Sequence, residues 1–275
     1  MITKIQKALV RYWGYNDFLP LQKKSMECVC SQRDSIVVLP TGGGKSLCYQ
    51  APAVILPGLT VVVSPLISLM KDQVDGLIEC GVAAARIDSS LAAHEQQAVF
   101  ESLGNKKLKL LYLSPERLVS NGFVEVLKKT GLSFIAIDEA HCVSMWGHDF
   151  RPEYRQLGLL KQVFPNVTIG AYTATATEHV RGDIAEQLHL ENPEMLIGSF
   201  DRPNLVYKVR RRTNRAKQVR AVLDRHKGES GIVYCIRRRD VDELSSLLRT
   251  KGYNVLLYHA GMVDEDRKKN QDAFI

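Results

Sequence analysis

Thr41-Gly42-Gly43-Gly44-Lys45-Ser46 joins an apolar run, Ile36-Val37-Val38-Leu39, to a segment with helical patterning. Consecutive glycines let backbone N–H groups wrap phosphate oxygens at a distance that side chains would block. A helix starting here points the positive end of its dipole at the same anion. In that frame Thr41, Gly42, Gly43 and Gly44 form a cradle, Lys45 reaches the β- and γ-phosphates of ATP, and the Ser46 hydroxyl is a Mg2+ ligand. The strict phosphate-loop pattern wants glycine where Leu39 stands. A plain glycine-rich turn before a helix is the structural alternative.

Such a loop needs a carboxylate at the end of a neighbouring buried strand. Phe134-Ile135-Ala136-Ile137-Asp138-Glu139-Ala140-His141 supplies one. Four apolar residues read as a strand buried on both faces, and Asp138 emerges at the C-terminal edge, where parallel sheets bind ligands. Asp138 suits Mg2+, and Glu139 suits orienting or deprotonating an attacking water; a solvated acidic corner is the bland alternative. Glu139 and His141 lack the two-histidine helix spacing of a zinc enzyme. Downstream, a loop with Trp146, Phe150 and Arg151 could stack bases and contact phosphates, a grip on single strands without sequence preference. It could equally be a packed lid.

The elements that must carry these residues read as a mostly parallel sheet wrapped by helices, because short apolar runs alternate with amphipathic ones. Strands are expected at residues 35–39, 60–64, 108–113, 134–138 and 168–173, and helices at 46–55, 66–80, 94–103 and 123–130. The pattern breaks around Ser199-Phe200-Asp201-Arg202-Pro203-Asn204. Residues 1–198 are then one domain. Residues 199–275 begin a second α/β domain, with a basic helix at 213–227, strands at 231–235 and 254–258, and helices at 239–251 and from 264. Two strands are fewer than the five or six such a sheet carries, so this second domain is expected to be incomplete, ending inside a helix at Phe274-Ile275.

Of the 275 residues, 45% are hydrophobic and 24% charged, the balance of a water-exposed globular chain. The net charge of +7 is uneven: residues 199–275 hold 18 Lys and Arg against 10 Asp and Glu, while residues 1–198 hold 19 against 20. A local basic excess favours a polyanionic partner, although a solvated basic face gives the same signal. Six scattered cysteines include only one close pair, Cys28 and Cys30, so buried thiols are expected and no zinc site. No membrane span or secretory signal is read, which points to the cytoplasm.

Asp-Glu-Ala-His at 138–141 resembles the DEAH box of superfamily 2 helicases, and Cys142-Val143-Ser144-Met145-Trp146-Gly147-His148-Asp149-Phe150-Arg151-Pro152-Glu153-Tyr154 is similar to the aromatic-rich loop of RecQ helicases. Val63-Ser64-Pro65-Leu66-Ile67-Ser68-Leu69-Met70-Lys71-Asp72-Gln73 resembles helicase motif Ia, Ser114-Pro115-Glu116-Arg117-Leu118 motif Ib, and Thr173-Ala174-Thr175-Ala176 motif III. Residues 231–235 and 258–261 resemble the first blocks of a second RecA-like domain. Trp13-Gly14-Tyr15 with Phe18, Pro20 and Gln22, within residues 12–22, looks like the adenine-recognition motif, with Tyr15 stacking on the base and Gln22 reading its edge; an aromatic N-terminal core cluster is the alternative. Leu19 departs from the basic residue common at that position.

The resemblance implies an α/β fold of RecA-like domains and an ATP- and Mg2+-dependent helicase. It implies 3′-to-5′ movement on single-stranded and forked DNA in repair and recombination. It assigns hydrolysis to Lys45, Asp138, Glu139 and His141, and DNA contact or coupling to Ser64, Pro65, Trp146, Phe150, Arg151, Thr173 and Thr175. Motifs V and VI, with the arginine finger, match nothing in these residues, nor do the family's zinc-binding and winged-helix modules. Arg210, Arg211, Arg212, Arg237, Arg238 and Arg239 fit no finger motif and read as a solvated or DNA-facing surface.

Overall fold

Successive residues of each apolar run turn to opposite sides, and that alternation builds two cores on one sheet. A computed structural model describes residues 1–275 except Asn121, Phe200, Arg202, Pro203 and Ile275. The chain divides into two compact units, Met1–Arg202 and Pro203–Ile275. The expected break at 199–204 falls partly on residues outside those described.

In the first unit seven strands pair in parallel: β1 (Ser35–Val38), β2 (Leu59–Val63), β3 (Ala84–Ile87), β4 (Leu110–Leu113), β5 (Leu132–Ile137), β6 (Thr168–Thr173) and β7 (Glu194–Ile197), in the spatial order β3-β4-β2-β5-β6-β1-β7. Ile36, Val38, Val61, Val63, Leu111 and Ile135 face one core, closed by Leu118, Phe123, Leu127, Val180 and Ile184. Val37, Val62, Tyr112, Phe134, Ala136 and Tyr172 face the other, closed by Cys48, Tyr49, Met70, Val74 and Leu77. Strands buried on both faces must be apolar throughout, which is why they stand out in sequence. A third, smaller cluster packs the N-terminal helices through Ile5, Leu9 and Met26 onto Leu47 and Ala51 of the helix Lys45–Ile55.

All five expected strands of this unit form, within two residues at either end. β3 and β7 were not anticipated. They are the two sheet edges, four residues each, with the mixed sequences Ala-Ala-Arg-Ile and Glu-Met-Leu-Ile, and half-covered edges need no continuous apolar run. The expected adjacency of the loop-bearing and acidic strands is also corrected: β6 lies between β1 and β5.

The second unit holds the helices Arg215–Leu223, Arg238–Thr250 and Asp264–Asp272. Arg215 bonds Asp240 at 2.8 Å, and Leu244 and Leu248 are buried. The strands expected at 231–235 and 254–258 do not form. A strand exists only in a ladder, and among the described residues neither segment is paired with a neighbour. Among the described residues no helix is long and apolar enough to cross a membrane.

Candidate nucleotide and nucleic-acid site

The C-terminal ends of β1, β6 and β5, side by side, bring the candidate residues together. After β1 the chain turns at Pro40, where Gly43 N donates to Pro40 O at 2.8 Å, and enters the helix Lys45–Ile55. Gly44 sits in the left-handed region at φ 71°, and a Cβ there would strike the Gln22 amide. Gln22 is buried beneath this turn: its Nε2 donates to Gly44 O at 3.1 Å, and its Oε1 accepts from Leu19 N at 2.7 Å. The predicted adenine reader thus also braces the loop. Tyr15 is 57% exposed, open to a flat partner. Lys45 Nζ rests on Leu39 O at 3.2 Å, a weak neutral partner that an anion would displace. Ser46 is half-buried on the first helical turn, and Thr41 and Gly42 are exposed.

Asp138 ends β5, with its backbone N bonded to Val63 O at 2.8 Å. Its carboxylate is 6% exposed, accepts from Glu139 N at 3.0 Å, and lies 3.5 Å from the Tyr49 hydroxyl. Burial first, and the Glu139 charge second, push its pKa up to about 6, against a pull from Lys45. Glu139 takes φ 46°, which a non-glycine residue adopts only under constraint. Its Oε2 is 3.2 Å from His141 Nδ1, and that contact holds its pKa below the usual carboxylate value, so it stays a base. The Tyr154 hydroxyl donates to Asp138 O at 3.1 Å and pins the corner from beneath.

Thr173, at the end of β6, stands between the two halves. Its hydroxyl meets His141 Nδ1 at 2.9 Å and donates to Thr175 O at 3.2 Å. The His141 ring stacks on His148 with centroids 4.1 Å apart, and His148 Nδ1 is 3.5 Å from Thr175 Oγ1. His141, Thr173, His148 and Thr175 are therefore one contact set joining the acidic corner, the β6 end and the aromatic loop.

In that loop Gly147 passes so close to His141 O that a Cβ could not fit. Trp146 is 71% exposed, its ring edge-on to His179 at 5.0 Å. The Arg151 guanidinium bonds Asp149 and donates to Pro65 O at 2.9 Å, tying the loop to the segment after β2; Arg155 covers the Phe150 ring at 5.6 Å. Pro65, Glu116, Phe150, Arg151 and Tyr154 line a cleft of about 330 Å3. Ser64 itself is buried, and the outward groups beside it are Leu66 and Ile67.

The site thus gathers Lys45, Ser46, Asp138, Glu139, His141, Thr173 and Thr175, with Trp146, Phe150 and Arg151 on a loop joined to it. His148, Tyr49 and Tyr154 were not singled out from sequence. His148 and Tyr154 lay inside the loop already read for Trp146, Phe150 and Arg151, but Tyr49 looked like an ordinary core residue. Ser46 and Asp138 are hard oxygen donors, and among the described residues Asp138 forms no ion pair, so the donor set fits Mg2+. His141, Cys142 and Asp149 also place ligand atoms within 4.8 Å of one another. Burial raises the Cys142 thiol to about 12, and His141 is already held by Glu139 and Thr173.

Comparison with known proteins gives the family and the fold. The DEAD/DEAH box helicase family matches residues 19–182. The chain is similar to the ATP-dependent DNA helicase RecQ of Pasteurella multocida, at 47% identity over 95% of this chain and 42% of that protein. It is similar also to the RecQ of Bacillus subtilis, at 40% identity over 100% of this chain and 47% of that one. It spans less than half the length of these relatives. A crystal structure of the helicase MrfA bound to DNA and AMPPNP shares the fold, with a TM-score of 0.72 at 18% identity over 98% of this chain and 42% of that one. The RecA-like fold, the phosphate loop and the Asp138–His141 box converge: the chain belongs to the DEAD/DEAH box helicases, and its sequence matches the RecQ members over nearly its whole length.

Proposed function

We propose that this chain carries the ATP-hydrolysing core of a RecQ-type DNA helicase. That helicase moves 3′-to-5′ on single-stranded DNA and opens forked duplexes during repair and recombination in the cytoplasm. The observation that carries the reading is the Asp138–Glu139 corner, one strand away from the Lys45 loop and joined to the aromatic loop through His141, Thr173 and His148. Direction and pathway rest on the family resemblance.

The triphosphate would lie on the N–H groups of residues 42–46, with Lys45 leaving Leu39 O for the β- and γ-phosphates. Mg2+, held by Ser46 and Asp138, would supply charge neutralisation on those phosphates. Glu139, kept ionised beside His141, accepts a hydrogen bond from the attacking water and takes its proton. Trp146 and Phe150 offer faces to unstacked bases. Movement of their loop reaches His141 through His148, so DNA occupancy changes how Glu139 is held.

For these 275 residues by themselves we propose binding with little turnover. None of Arg210–Arg212 or Arg237–Arg239 matches a finger motif, and a finger contributes about 10³–10⁵ in rate where measured. A non-helicase phosphate-loop NTPase, the remaining alternative, has no use for an exposed Trp146. The test is nucleotide binding and hydrolysis with and without single-stranded DNA. Lys45→Ala should abolish nucleotide binding, and Trp146→Ala should remove the response to DNA. Undiminished nucleotide binding by Lys45→Ala would sink the assignment, and an unchanged DNA response would favour the non-helicase alternative.

A further inference from the structure

A buried row of polar side chains leads away from the acidic corner through the sheet. Tyr49, one turn beyond Lys45 on the helix Lys45–Ile55, is fully buried, its ring edge-on to Tyr172 at 5.1 Å. Its hydroxyl donates to Asp138 Oδ2 at 3.5 Å, from the helix that also carries Ser46. Gln50, the next residue of that helix, turns instead to Tyr112 on β4. The Tyr112 hydroxyl accepts from Gln50 Nε2 at 2.9 Å, and the same amide donates to Gln73 Oε1 at 2.9 Å. Gln73 belongs to the helix Ile67–Glu79, whose leading turn exposes Leu66 and Ile67 beside Pro65.

Proton counting shows where these donors are used. Both Gln50 amide protons are engaged, one on Tyr112 and one on Gln73. The single proton of the Tyr49 hydroxyl goes to Asp138. One helix thus donates to Asp138 through Tyr49 and to Tyr112 and Gln73 through Gln50. Packing alone does not ask for this, because phenylalanine or leucine would fill the same space without burying polar atoms.

We infer that Tyr49 and Gln50, adjacent on one helix, form with Tyr112 and Gln73 a positioning bridge. It sets Ser46 and Asp138 for the nucleotide's metal and ties the helix Ile67–Glu79, with its exposed leading turn, to their occupancy. The inference rests on the function proposed above and adds a route, separate from the aromatic loop, by which bound nucleotide changes the hold on DNA.

The test uses the 275-residue chain, a fluorescent ATP analogue titrated at varied Mg2+, and labelled oligothymidylate with or without Mg2+ and AMPPNP. Tyr49→Phe keeps the ring and removes the hydroxyl. It should raise the Mg2+ needed for half-maximal nucleotide binding roughly 3- to 10-fold, the range of one hydrogen bond, while binding in EDTA stays unchanged. Gln73→Leu should bring the factor by which nucleotide alters oligothymidylate affinity toward one, and Gln73→Glu, which keeps the acceptor, should retain it. An unaltered Mg2+ requirement in Tyr49→Phe overturns the inference, as does equal loss of binding with and without Mg2+. An unaltered factor in Gln73→Leu overturns it too. If the unmodified chain binds neither nucleotide nor DNA, the proposed function fails and takes the inference with it. If it binds both and the variants behave like it, only the inference fails.

Discussion

Met1–Arg202 and Pro203–Ile275 share one sequence habit, apolar β-branched runs alternating with amphipathic ones, yet they end differently. In the first unit Ile36, Val62 and Phe134 lie at full burial between helices on both faces of the sheet. In the second, runs of the same composition stay open: Val209 is 99% exposed and Tyr234 90%. Local pattern therefore nominates a strand, and partners make it one. The candidate functional groups follow the same division, since Lys45, Asp138, Glu139, His141 and Thr173 all lie at or shortly beyond the C-terminal ends of buried strands.

That contrast can be broken most sharply at its chemical end. Glu139→Gln should remove the low residual ATP hydrolysis of these residues, a general base being worth about 10²–10⁴ in rate, while leaving nucleotide affinity nearly unchanged, measured by phosphate release and by binding. A small loss would mean that the rigid corner is not where water is activated. Next comes the core itself. Phe134→Ala should cost about 3–5 kcal/mol in chemical denaturation, because a fully buried ring leaves a cavity. Ile236→Ala, at a fully exposed position, should stay within about 0.5 kcal/mol. Similar costs at both positions would erase the distinction between the units.

A gentler probe is Asp138→Asn in the absence of nucleotide and Mg2+. The folded carboxyl titrates at about 6 against an ordinary 3.8. The folded state therefore holds its proton more tightly, and ionisation costs stability as pH rises through 6. Asparagine should stabilise the chain by at most about 3 kcal/mol above that pH. The gain should shrink as pH falls from 6 toward 3.8 and vanish below it, as thermal melts across pH would report. A pH-independent difference would mean that the corner is more open to water than its burial indicates.

Much of the first unit is legible in its residues. The five inner strands are apolar along their whole length because both faces are covered, and a run such as Phe134-Ile135-Ala136-Ile137 fits few places except between two cores. The edges β3 and β7 were missed because a half-covered strand keeps polar residues such as Arg86 and Glu194. The phosphate loop and the acidic box were legible as chemistry, since glycine, lysine and adjacent carboxylates in those settings have few uses. Tyr49, Tyr112 and Gln50 were not, because a tyrosine in an apolar stretch looks the same whether its hydroxyl is idle or bonded.

Residue type and spacing, then, nominated the groups suited to phosphate and metal, the strand that presents the acids, and the loop proposed to offer aromatic faces to DNA. These are properties of short stretches, set by backbone geometry and side-chain chemistry within a few residues. Tertiary structure alone decided that β6 stands between β1 and β5, placing Thr173 against His141, and that Gln22 braces Gly44 from 22 residues away. It also decided that Tyr49 reaches Asp138 across 89 residues of chain. Strand order and side-chain contact across a sheet follow from how every element packs at once, and no local window of sequence contains that information.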